Sequence, residues 1–102
     1  MAETFFDFDW DPKKARSNLK KHGVSFRLAT SVFRDPLAIT IFDEDHSADE
    51  ERWVSIGCTE NGQTLVVVHT SEWTSPTEIK VRIISARKAD HVELDDFENA
   101  PR

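Results

Sequence analysis

Apolar and polar positions follow two different periods along this chain, and the change falls at Asp35-Pro36. Before it, "DWDPKKARSNLKKHG" sets Asp11 as a helix N-cap, Pro12 at the first helical position and Gly23 where a C-terminal glycine belongs. Ala15, Asn18, Leu19 and His22 obey the i, i+3, i+4, i+7 rule and share one stripe, while Lys13, Lys14, Arg16, Lys20 and Lys21 spread over the rest. Ser25 is placed to cap a second helix with Phe26, Ala29, Val32 and Phe33 inward, and Asp35-Pro36 stops it.

Beyond that point "LAITIF" (37–42), "RWVSIG" (52–57), "TLVVVHT" (64–70) and "EIKVRIIS" (78–85) read as four strands rich in β-branched residues. The Asn-Gly pair in "TENGQ" predicts a hairpin between the second and third, and "SEWTSPT" is a longer connection to the fourth. "ARKADHVELDDFEN" predicts a short terminal helix. The expected architecture is α+β: two N-terminal helices packed on a four-stranded antiparallel sheet, with a short C-terminal helix and room for a short leading strand at Phe6 to Trp10. Helices on one face would leave the other sheet face partly open.

The 102 residues and 38% apolar content suit one modest core, hence a single domain over residues 1–102. One cysteine, Cys58, excludes an intrachain disulfide and points to a reducing compartment. No apolar run approaches the roughly 18 residues of a membrane span, so a cytoplasmic protein is expected. The net charge of −6 argues at first against a nucleic-acid partner. The distribution changes that reading. Seven cations and no acid lie between Pro12 and Arg34, and Lys80, Arg82, Arg87 and Lys88 form a second basic group. Acids gather in "DEDHSADEE" and in the tail "DHVELDDFEN". Segregated charge of this kind can present a positive face to a polyanion, or be ordinary solvated surface.

No Gly-rich phosphate loop, HExxH, Cys-His cluster or nucleophile elbow is present. "DEDHSADEE" mixes carboxylates with His46 but lacks the glycine and ligand spacing of a calcium loop, so no metal site is assigned. His22 is a candidate acid or base, although cations in a last helical turn are also explained by the helix dipole. His69 shares the parity of Leu65 and Val67; a continuous apolar run hides which parity faces the core. "RIISAR" is more informative: Arg82 falls opposite Val81 and Ile83, and Arg87 sits where the strand passes into the tail. Guanidinium groups recognise phosphate bidentately and stay charged at any working pH. Arg52, beside Glu50 and Glu51, is able to join them or to serve as an ion-pair partner.

Taken in order, "FDWDPKKARSNLKKHGVSF", "VFRDPLAITIFDEDHSADEERWVSIG", "LVVVHT" and "RIISAR" resemble the BrnT family of type II toxin–antitoxin toxins over residues 8–87. The resemblance implies a RelE-like fold, RNA cleavage without a metal or other cofactor, and neutralisation by a BrnA-like antitoxin with a ribbon-helix-helix domain. Operator DNA would be met only through that antitoxin. For such chemistry the residues point to Arg82 and Arg87 as phosphate and transition-state clamps with Arg52 beside them, and to Lys13, Lys20 and Lys21 along the RNA backbone. His22, His69 and Glu51 are the proton-transfer candidates, unranked. After "RIISAR" the chain departs from the basic helix expected of the family: "KADHVELDDFEN" carries five acids. A non-catalytic partner subunit of a DNA-binding antitoxin is the competing reading.

Overall fold

The computed structural model describes residues 3–46 and 48–101; Ser47, within the acidic loop, lies outside them with Met1, Ala2 and Arg102. The elements run β1 (Phe5–Trp10), α1 (Pro12–His22), α2 (Phe26–Ala29), a 3-10 segment (Thr30–Arg34), β2 (Ile39–Phe42), a 3-10 turn (Glu44–His46), β3 (Trp53–Cys58), β4 (Thr64–His69), β5 (Glu72–Trp73), β6 (Glu78–Lys88) and α3 (His91–Glu98).

Local chemistry explains the helix ends. The Asp11 carboxylate accepts from the Lys13 amide at 2.8 Å, and Gly23 closes α1 at φ 69°, a left-handed conformation that a side chain would strain. Ser25 Oγ accepts from the Leu28 amide at 3.0 Å. The second helix tightens to 3-10 after Ala29 because the Thr30 and Ser31 hydroxyls donate back to the Arg27 and Leu28 carbonyls, both at 2.7 Å. Asp35 then ends it, one carboxylate oxygen taking the Leu37 amide and the other the Cys58 amide of β3. Asn61-Gly62 forms the expected hairpin turn, with Gly62 at φ 85°.

The sheet has six strands in the order β1-β6-β4-β3-β2, with β5 also paired to β6. It is mixed, not purely antiparallel, because β1 lies parallel to β6. The two-residue β5 arises within "SEWTSPT". The sequence leaves room for a leading strand at Phe6 to Trp10 and says nothing of its distant partner.

One face is covered by α1, α2 and the 3-10 segment. There Val24, Phe26, Ala29, Val32, Leu65, Val67, Val81, Ile83 and Ala86 form the core, with Phe8, Trp10, Ala15 and Phe33 packed against it. Asn18, also buried, joins helix to sheet. Pairing with β1 stops at Ile83, so the next backbone groups of β6 on that side need other partners. Asn18 supplies them: its amide donates to the Ala86 carbonyl at 2.8 Å and its oxygen accepts from the Ala86 amide at 3.1 Å. The same amide donates to the Val24 carbonyl at 3.0 Å, fixing the chain after Gly23. Leu19, expected on the inward stripe, is 51% exposed. A seat centred on Asn18 leaves that neighbour at the rim.

Candidate active site on the open sheet face

Arg82 and Arg87 are five positions apart and in an unbroken strand would point to opposite faces. A bulge prevents this. Val68 pairs with Ser85 but His69 pairs with Ile83, so Ile84 has no opposite residue and the alternation slips by one. Val81 and Ile83 face the core before the bulge and Ala86 after it, which sets both Arg82 and Arg87 on the open face. Along the strand they remain roughly 15 Å apart, from the rise of about 3.3 Å per residue.

Arg82 borders a cleft of about 400 Å³ lined by Asp9, Glu50, Glu51, Thr70, Ser71, Glu72, Lys80 and Arg82. Four parts of the chain build it. The parallel register sets Asp9 of β1 opposite Arg82 and Asp7 opposite Lys80. The turn from β4 to β5 brings Thr70, Ser71 and Glu72, and the Thr70 amide donates to the Arg82 carbonyl at 3.0 Å. The segment entering β3 adds Glu50 and Glu51. Asp9 stands between the cations, with Oδ2 3.7 Å from Lys80 Nζ and Oδ1 3.6 Å from Arg82 Nη1. Arg82 keeps 48% of its side chain exposed. Arg52 lies next along the chain, its Nη2 3.8 Å from Glu50 Oε1.

Arg87 has a different setting. Its Nη1 and Nη2 donate to Glu93 Oε1 and Oε2 at 2.6 and 2.8 Å, a bidentate fork to the first turn of α3. Glu93 also completes a capping box, taking the Asp90 amide while Asp90 takes that of Glu93. The guanidinium hydrogen bonds hold the Glu93 carboxyl at about 2, well below its ordinary value, and raise Arg87. The acidic tail thus supplies a direct partner for one of the two arginines of "RIISAR".

The structure does not bring His69 to this cleft. Parity places it on the covered face, 1% exposed, with the Phe33 ring edge-on at 4.8 Å. Its Nδ1 is 3.1 Å from both the Thr70 carbonyl and the Ser71 hydroxyl; the carbonyl can only accept, and on that contact the hydrogen is assigned to Nδ1. Nε2 then accepts from Ser55 Oγ at 2.7 Å, and Thr40 Oγ1 lies 2.7 Å from the same hydroxyl. Burial lowers its pKa. His22, Lys13, Lys20 and Lys21 ride on α1, which packs against β6, and none of them lines the cleft at Arg82. Among the described residues no group of three His, Cys, Asp or Glu is spaced to hold a metal ion.

A family model described as the ribonuclease toxin, BrnT, of type II toxin–antitoxin systems matches residues 10–93 of the chain. The chain belongs to the BrnT family. Its fold is similar to the crystal structure of the Brucella abortus ribonuclease toxin BrnT, with a TM-score of 0.59 and 23% identity, over 86% of this chain and 100% of that one. Among curated proteins nothing matches. Membership of a ribonuclease toxin family implies an RNA substrate and an antitoxin partner.

For this BrnT-family chain, sequence reasoning selected Arg82 and Glu51 of the cleft, with Arg52 beside Glu50, but passed over Asp9, Lys80, Thr70 and Ser71. Asp9 and Lys80 had a signal: each alternates with core residues, Asp9 with Phe8 and Trp10, Lys80 with Ile79 and Val81. What lacked one was the pairing of β1 with β6. No helix of the described residues is long and apolar enough to cross a membrane.

Proposed function

We propose that this chain is a cytoplasmic, metal-independent endoribonuclease that cleaves RNA at the open-face cleft and is neutralised by a BrnA-like antitoxin carrying a ribbon-helix-helix domain. The observation that carries the reading is the cleft itself, where Lys80 and Arg82 stand among carboxylates and hydroxyls, Glu51 and Thr70 included. Cleavage without a metal needs a base for the 2′-hydroxyl, positive charge for the phosphate, and a proton for the leaving 5′-oxygen. Glu51 takes the 2′-proton, and the 2′-oxygen forms a bond to phosphorus. Arg82 neutralises the charge that builds on the non-bridging oxygens. The P–O5′ bond breaks and Lys80 donates the proton that the 5′-oxygen needs, leaving a 2′,3′-cyclic phosphate and a 5′-hydroxyl. Arg52 steadies Glu50 at the entrance. In this reading Arg87 anchors α3, and His69 and Asn18 brace the covered face.

The purified protein is expected to cleave an RNA oligonucleotide in EDTA, to leave 2′,3′-cyclic phosphate ends, and to spare the 2′-deoxy analogue. Glu51→Gln and Arg82→Ala should lower the rate by about a hundredfold or more, the order expected for losing a positioned base or a charge stabiliser. Complete inhibition by EDTA, restored by a divalent cation, would sink the mechanism. A second reading has one observation in its favour: Asp9, Glu50, Glu51 and Glu72 outnumber Lys80 and Arg82 in the cleft and disfavour a polyanion. If the protein serves instead as a non-catalytic antitoxin partner, it will form that complex yet show neither cleavage nor growth arrest on expression.

A further inference from the structure

Lys80 and Arg82 are two positions apart on one strand face, so their side chains leave the backbone about 7 Å from each other and repel. Something must hold both at one place. The Asp9 carboxylate lies between them, one oxygen toward each, at 3.6 and 3.7 Å. Neither contact is a hydrogen bond, and Asp9 Oδ1 is buried without a hydrogen-bond partner. The Arg87 fork at 2.6 and 2.8 Å shows what a closed ion pair looks like in the same molecule. By that standard Asp9 tethers its two cations without saturating them. Their hydrogens stay available to an incoming anion, while the charge of Asp9 draws both cations to one place.

We infer that Asp9 is a positioning residue for RNA cleavage, acting through Arg82 and Lys80. The inference rests on the cleavage site proposed above. Asp9 occupies the region between the cations that two phosphate oxygens would share. When phosphate enters, the tether keeps both donors aimed at the reacting group instead of leaving them to find it.

Charge and position predict opposite signs, which makes the idea testable. Removing a carboxylate beside two cations should tighten polyanion binding if charge alone matters. If position matters, turnover falls even though binding does not. Asp7 is the control: it is opposite Lys80 in the same register, exposed, and absent from the cleft lining. Steady-state cleavage of an RNA oligonucleotide is measured for the unaltered protein, Asp9→Asn, Asp9→Glu and Asp7→Asn. Asp9→Asn is expected to lower kcat by about tenfold or more, a cost typical of a catalytic group misplaced by a fraction of an ångström to one ångström, with KM unchanged or lower. Asp9→Glu should recover part of kcat, and Asp7→Asn should match the unaltered protein. Equal kcat in Asp9→Asn and Asp7→Asn overturns the inference. Should the unaltered protein fail to cleave RNA, the functional reading fails on its own. The tether is then read from the Arg82 side-chain Nε–H resonance, assigned with Arg82→Lys. A shift of that signal in Asp9→Asn, absent in Asp7→Asn, upholds the tether; an unmoved signal overturns it.

Discussion

Arg87→Ala removes a guanidinium that gives two hydrogen bonds to one carboxylate and so ties the first turn of α3 to the end of β6. Glu93 titrates at about 2 in place of 4.5, which without screening would correspond to about 3 kcal/mol. Water reaches both partners, the side chains being 42% and 29% exposed, and a surface ion pair is worth well under 1 kcal/mol. Discounting by half gives about 1.5 kcal/mol for this bidentate case, or roughly 6–12 °C in Tm for a chain of this size. The pH dependence follows from the sign of the shift. Because the folded pKa is depressed, the stabilisation is complete above about 4.5 and is lost as pH falls toward about 2. Urea denaturation of Arg87→Ala, Glu93→Gln and the double variant at pH 7 measures the coupling, and the gap to the unaltered protein should narrow below pH 4.5. Arg82→Ala, which loses only a long contact at 3.6 Å from a half-exposed side chain, should stay within about 0.5 kcal/mol of the parent and lose cleavage. An Arg87→Ala protein that keeps its stability, or that while fully folded loses as much cleavage as Arg82→Ala, would refute this division of labour.

Asn18→Ala removes three buried hydrogen bonds and leaves both Ala86 backbone groups without that partner, so a loss of about 3 kcal/mol is expected from urea denaturation. A change under about 1 kcal/mol would mean that water replaces the amide. For His69 the folded pKa lies below 6.5, so the unfolded chain takes up the proton first. Its contribution is whole above pH 6.5 and declines as pH falls below that value. The urea midpoint should drop between pH 7.5 and 5.5, and His69→Phe, though less stable, should flatten that slope; the same slope in His69→Phe would assign it to other groups.

Much of the framework is legible without coordinates because it depends on near neighbours. Asp11, Pro12, Gly23 and Ser25 mark helix ends through bonds spanning two to four residues, and Asn61-Gly62 turns a hairpin for the same reason. Alternation in 78–85 puts Arg82 on the face opposite Val81 and Ile83 before any partner strand is known. Family membership also follows from short motifs kept in order. What the sequence leaves open depends on residues far apart in the chain. Alternation cannot reveal that β1 lies parallel to β6, yet that register alone places Asp9 at Arg82. Nor can it reveal the bulge at Ile84, which returns Arg87 to the face of Arg82. His69 was ambiguous because Leu65 to Val68 is apolar at every position, and only the helices packed on Ser55 and Val67 settle which parity is inside. The tail reads as an acidic departure in one dimension. In three, Glu93 closes on Arg87, so tertiary structure separates two arginines that the sequence presents as a pair.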